Sequence, residues 1–107
     1  MIYKNTHELI DLIRDKEITS VEILENLLSQ IKAKNSDVNA VVNLDAETAM
    51  DKAKEADKLT AQGKSLGPLH GIPMTIKDAY EVEGMVSTGG DPNWKDNVPL
   101  KNAEAVP

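Results

Sequence analysis

At 107 residues and 11.7 kDa the chain has the length of one domain, and surface scaling gives it roughly 5,900 Å² folded against about 17,000 Å² unfolded, enough for one modest core. Twelve basic against 18 acidic residues leave a net charge of −6, spread evenly along the chain, so no basic patch or tail offers counterion-release binding to nucleic acid. Zero cysteines exclude disulfides, thiolate metal sites and thiol catalysis, and three aromatic residues, Tyr3, Tyr80 and Trp94, leave an aliphatic, Ala-rich core and little material for stacking bases or sugars.

The N-terminus carries no apolar signal-peptide core, and no run approaches about 18 apolar residues. A soluble, cytoplasmic chain without membrane contact is expected. Asn5 followed by Glu8 forms a capping-box pattern, and Leu9, Leu12 and Ile13 follow on one face, predicting a helix that ends near Lys16. Thr19 and Glu22 repeat the box more clearly. Leu24, Leu27, Leu28 and Ile31 then recur at i, i+3, i+4, i+7, predicting a second helix that fades in the polar cluster at residues 34–37. Residues 38–44, Val38-Asn39-Ala40-Val41-Val42-Asn43-Leu44, are short and β-branched and read as a strand. Asp45 caps a third predicted helix from Ala46 to about Gln62, with an apolar stripe of Ala46, Ala49, Met50, Ala53, Ala56 and Leu59 suited to close approach. Gly63 stops it. A turn-rich connector leads to a second strand at residues 72–76, with Pro73 near its start. Beyond Tyr80, Gly84, Gly89, Gly90, Pro92 and Pro99 interrupt any period.

The expected fold class is therefore α/β: N-terminal helices at residues 1–36, a right-handed parallel βαβ unit within residues 37–81, and an irregular tail at residues 82–107. The tail is expected to order only when packed against other protein. A parallel strand normally lies inside a covered sheet. Two strands are too few, so the sheet must be completed by a partner, or the sequence is the front of a larger domain.

Most motifs dissolve on inspection. Gly63-Lys64-Ser65 mimics the end of a phosphate loop, but Lys58 stands where that loop needs glycine and a helix precedes it. His7 and His70 have no convergent ligands, so no metal site is expected. No serine sits in a Gly-x-Ser-x-Gly elbow. Lys77-Asp78 is more informative. A lysine ending a buried strand could be desolvated into a neutral amine and serve as a general base. It could equally be a solvated lysine at a strand terminus with Asp78 opening the turn, and spacing alone favours that reading.

The run Gly67-Pro68-Leu69-His70-Gly71-Ile72-Pro73-Met74-Thr75-Ile76-Lys77-Asp78 closely resembles the segment bearing the catalytic lysine of the amidase signature family. The similarity continues through Val82-Glu83-Gly84-Met85-Val86-Ser87-Thr88-Gly89-Gly90 and Asn97-Val98-Pro99. Upstream, Thr19-Ser20-Val21-Glu22, Asn39-Ala40 and the Ala-rich helix are also similar to that family. The resemblance implies part of a mixed sheet flanked by helices. It also implies a hydrolase that cleaves the carbon–nitrogen bond of small amides without a cofactor, using a serine nucleophile, a cis-peptide serine and a lysine. Lys77 matches the lysine, Asp78 a supporting position, and Ser87, Thr88, Gly89 and Gly90 a border of the substrate pocket.

The family's two serines lie in a Gly-Ser-Ser-Gly-Gly-like segment that does not occur here, and Ser20, Ser29, Ser36, Ser65 and Ser87 match neither. The chain therefore resembles a truncated N-terminal portion, expected to be inactive alone. The A subunit of glutamyl-tRNA amidotransferases is similar over the same region and is an alternative. A non-catalytic module that self-associates through unpaired strand edges is another.

Overall fold

The computed structural model describes residues 4–106; residues 1–3 and 107, the outermost parts of the predicted helical and irregular regions, lie outside the described residues. The chain divides after Pro73 into two compact units, Met1–Pro73 and Met74–Pro107.

The first unit is helical, and its helices begin where the sequence places their caps. Helix α1 spans Thr6–Arg14. Asn5 Oδ1 accepts from the Glu8 amide at 2.9 Å, and the Glu8 carboxylate accepts from the Asn5 amide at 2.7 Å. Helix α2 spans Ser20–Val38 and opens with the same reciprocal pair between Thr19 and Glu22. Helix α3 spans Ala46–Ala61. Its cap, Asp45, accepts from the Thr48 amide at 3.1 Å, and the hydrogen bonds from Thr48 hold the Asp45 carboxyl below its ordinary range.

Asp57 joins two of these elements. It projects from α3 and accepts from the Ser20 amide at 2.6 Å and the Val21 amide at 3.1 Å. The amides of Thr19, Ser20, Val21 and Glu22 have no carbonyl to reach within a helix; here each has a side-chain acceptor. The Asp57 charge also opposes the positive end of the α2 dipole. Helices α2 and α3 pack together. The buried apolar side chains of this unit, among the described residues, are Ile13 of α1, Ile23 and Leu24 of α2, and Ala53 and Ala56 of α3. The alanine stripe thus does what its size allows, bringing a helix backbone close to its neighbour.

The connector after α3 returns to the same place. Buried Ser20 donates its hydroxyl to the Gly71 carbonyl at 2.7 Å. Gly71 has φ +76°, a backbone conformation that calls for glycine, and a Cβ there would lie 3.4 Å from both Ile13 Cδ1 and Ser20 Cβ, at the edge of ordinary contact. His70 is bonded at both ring nitrogens. Its Nδ1 accepts from the Leu66 amide at 3.0 Å, and its Nε2 lies 2.8 Å from Thr60 Oγ1 and 3.0 Å from the Ala56 carbonyl. A carbonyl only accepts, so this pattern assigns the proton to Nε2.

The βαβ unit is not formed. Among the described residues there is no strand, and the α/β expectation is corrected to a helical unit followed by an irregular one. Helix α2 runs through the polar cluster and absorbs Val38, and Asn39, in the left-handed region at φ 47°, ends it. Residues 40–45 are neither helix nor strand. The Asn35 carboxamide takes both Val41 backbone groups, accepting from its amide and donating to its carbonyl at 2.9 Å each. It satisfies locally what a neighbouring strand would otherwise supply. Val42 and Leu44 stay exposed. In the second predicted strand the Ile72 amide turns back to the Leu69 carbonyl at 3.1 Å, Pro73 has no donor, and the division between units falls directly after it. β-branched composition alone does not make a strand when the chain offers its backbone no partner.

The second unit is loop upon loop, with one short 3₁₀ turn at Pro92–Trp94. Hydrogen bonds between distant loops order it. The Gly84 amide donates to the Pro99 carbonyl at 3.1 Å, the Ala103 amide to the Glu81 carbonyl at 2.8 Å, and the Glu83 amide to Asn102 Oδ1 at 2.7 Å. No helix of the described residues is long and apolar enough to cross a membrane.

Asp57→Ala is expected to cost about 1–2 kcal/mol by stripping two amides of a charged acceptor. The readout is a lower urea midpoint with an unchanged slope. An unaltered midpoint contradicts the cap as described.

Candidate active site

The predicted site residues all belong to the second unit. Lys77 is exposed and does not end an interior strand. Its carbonyl accepts from the Tyr80 amide at 2.9 Å, closing a turn that places Asp78 at its first corner. Asp78 is half-buried and gathers the segment that follows. Its carboxylate accepts from the Thr88 hydroxyl and, at 3.2 Å, from the Thr88 amide. Its backbone carbonyl accepts from the Ser87 hydroxyl at 2.8 Å and the Gly89 amide at 3.3 Å. The Gly90 amide in turn donates to Thr88 Oγ1 at 3.1 Å.

Gly89 and Gly90 have φ +59° and +81°, which folds their amides back toward Asp78. Such a concave run of amides favours an anion, and here the anion is the chain's own carboxylate. The Thr88 side chain and then its amide pull the Asp78 carboxyl below its ordinary range, with smaller contributions from Gly89 and Gly90, against an opposing desolvation.

Ser87 is buried, at 8% exposure. Beyond its hydroxyl bond, its amide donates to the Asn97 carbonyl at 2.9 Å and its carbonyl accepts from Asn97 Nδ2 at 3.0 Å. A hydroxyl that donates to a backbone carbonyl in this way positions a loop. The four residues 87–90 sit with Asp78 as one hydrogen-bonded network.

A small open pocket of about 180 Å³ lies against this network, lined by Asp78, Ala79, Glu81, Ser87, Thr88, Gly89, Trp94 and Asn97. Gly90 is not on its wall. Trp94 and Asn97 carry no assignment from the sequence. Asn97 is visible there only inside the similar Asn97-Val98-Pro99 run, and Trp94 only as a single tryptophan in a polar, Pro-containing stretch. Asp91 positions Trp94: its side chain accepts from the Asn93 amide at 2.9 Å, its carbonyl from the Trp94 amide at 3.0 Å. Among the described residues no three His, Cys, Asp or Glu side chains are grouped to hold a metal ion.

Comparison with known proteins places this geometry in context. The family model described as Amidase matches residues 22–107, a stretch that includes every residue of the network. The chain is 37% identical over 106 residues to the A subunit of the glutamyl-tRNA(Gln) amidotransferase of Moorella thermoacetica, covering 99% of this chain and 22% of that protein. It is 34% identical over 99 residues to an acylamidase of Rhodococcus erythropolis, covering 92% of this chain and 21% of that protein. Among solved structures it superposes with a TM-score of 0.82 and 29% identity on a bacterial aryl acylamidase of the amidase signature enzymes, over 97% of this chain and 21% of that one. A second superposition, with a TM-score of 0.86 and 26% identity, covers 94% of this chain and 22% of a chain reported with "the evolutionary origins of an s-triazine catabolic enzyme". The chain spans about a fifth of the length of the curated relatives it matches. With the family model spanning most of its length, the chain belongs to the amidase family, the amidase signature enzymes.

Proposed function

We propose that this chain contributes the lysine of a Ser–cis-Ser–Lys amide-cleaving site, and that other polypeptide must supply the two serines. The observation that carries the reading is the run at residues 67–78 ending in Lys77-Asp78, inside the stretch that matches the family. In this reading Lys77 Nζ, neutral, takes the proton of the bridging serine, which takes that of the nucleophile. The nucleophile adds to the amide carbonyl, and the carbon–nitrogen bond breaks as the proton returns to the leaving amine. Water or a second amine then releases the acyl group. No cofactor enters this relay. Asp78 acts as a supporting residue by holding the turn at residues 87–90 beside the pocket where a small amide substrate would lie, and the setting is the cytoplasm.

The 107-residue chain alone is inactive in this reading. It contains no Gly-Ser-Ser-Gly-Gly-like segment. Its lysine is exposed, whereas a lysine base works from an enclosed, dry site. A second reading is favoured by the 37% identity to the A subunit of an amidotransferase: the same lysine would serve release of ammonia for transfer within a multi-subunit assembly. Ammonia-dependent product formation that requires a partner protein separates the two.

Purified chain should release no amine from acetanilide above the buffer rate; release that disappears in Lys77→Ala would contradict the reading. A chimera in which this chain replaces the matching fifth of the aryl acylamidase should turn over anilides. Lys77→Ala should lower its kcat/KM by about 10³-fold or more, since members of such a relay act as a unit. Retention of activity by that variant would refute the assignment. For Asp78 the folded carboxyl is held low, so its contribution is complete above the ordinary value of 3.8 and is lost as pH falls below it. The protection factor of the Thr88 amide, its exchange rate taken against the intrinsic rate at the same pH, should hold at pH 5 and fall below that ordinary value; loss of protection above pH 5 would disagree.

A further inference from the structure

A lysine reaches its target on a flexible four-carbon stem, so an amine that must meet a serine within hydrogen-bond reach needs a fixed backbone beneath it. Lys77 has no helix or strand under it among the described residues. The turn that follows it is held instead through its carbonyls. That of Lys77 accepts from the Tyr80 amide at 2.9 Å. That of Asp78 accepts from the Ser87 hydroxyl at 2.8 Å and, less closely, from the Gly89 amide at 3.3 Å. The same hydroxyl lies 3.5 Å from the Tyr80 carbonyl, so it stands over two carbonyls of the turn.

Ser87 is itself fixed. It is buried, and Asn97 grips both of its backbone groups: the Ser87 amide donates to the Asn97 carbonyl at 2.9 Å, and the Ser87 carbonyl accepts from Asn97 Nδ2 at 3.0 Å. The Asn97 amide is tied in turn to the Trp94 carbonyl at 2.9 Å. A run of hydrogen bonds therefore leads from residues 94–97, through one buried hydroxyl, to the backbone next to Lys77. A serine hydroxyl has a single proton, and this one is committed to the chain's own backbone.

We infer that Ser87 and Asn97 are positioning residues for Lys77: Asn97 fixes Ser87, and the Ser87 hydroxyl fixes the turn that presents the amine. The inference rests on the lysine reading of the proposed function and adds to it the residues that aim the base.

In the acylamidase chimera Ser87→Ala should lower kcat about 10²-fold, the loss that a misplacement of about 1 Å produces, with KM changed by less than about threefold. Ser87→Thr, which keeps the hydroxyl, should recover most of that kcat. Asn97→Ala should lower kcat about tenfold in the same pattern, since it acts one bond further away. A raised KM with kcat intact would assign Ser87 to the substrate, and an unaltered kcat would remove its role; either overturns the inference. In the 107-residue chain, where no turnover is needed, Asn97→Ala should lower the protection factor of the Tyr80 amide about tenfold at fixed pH. Changes confined to the residues bonded to Asn97 would contradict the coupling. An active Lys77→Ala chimera would sink the lysine reading whatever Ser87 does. Full loss in Lys77→Ala with normal turnover in Ser87→Ala would sink the positioning role alone.

Discussion

One carboxylate organises the helical unit. Asp57 reaches from the middle of α3 to the first amides of α2, and it does so next to Ser20, whose hydroxyl fixes the Gly71 carbonyl. Three stretches far apart in sequence therefore meet at one helix N-terminus, where unsatisfied donors and the helix dipole both attract negative charge. The alanines of α3 let the helices come close enough for so short a side chain to bridge them. The connector at residues 63–73, which leads to the lysine motif, is then held by His70 and Gly71.

The second unit follows a different logic. Its described residues bury Ser87 and Pro99 but no larger apolar side chain, while Met74, Tyr80, Trp94, Val98 and Leu100 remain exposed. Order comes from backbone groups satisfied across loops and from a carboxylate seated against a glycine turn. Asp78 does in the second unit what Asp57 does in the first: each places a negative charge where backbone amides converge. The difference is that Asp57 joins regular elements, whereas Asp78 shapes an irregular wall with a pocket beside it.

The helices are legible because their signals are local. Asn5 with Glu8, Thr19 with Glu22, and Asp45 each fix a start within four residues, and the structure places the helices beginning at Thr6, Ser20 and Ala46. The strand pattern misleads because a strand is a property of two segments. Val41 and Val42 have the right side chains, but Asn35 takes the Val41 backbone groups, and nothing in a β-branched run reveals a competitor six residues upstream. Asp78 and residues 87–90 are singled out in the sequence only through family similarity, and separately; that they bond to one another is not legible there. Periodicity is silent in a Gly-rich loop, and the hydrogen bonds that matter there run from side chain to backbone. Trp94 and Asn97 escape because an exposed indole and a single carboxamide carry no spacing signal.

Lys77 is where sequence and geometry stand furthest apart. It lies inside the stretch that matches the family model, yet its side chain is exposed and no strand carries it among the described residues. In the proposed reading additional polypeptide encloses the amine; the relatives are about five times as long as this chain. A crystal structure of the acylamidase chimera carrying these residues tests that most directly. Lys77 Nζ should lie within about 2.6–3.2 Å of a serine Oγ, enclosed by the grafted domain. A folded chimera with that nitrogen still in bulk water, out of reach of any serine, would contradict it.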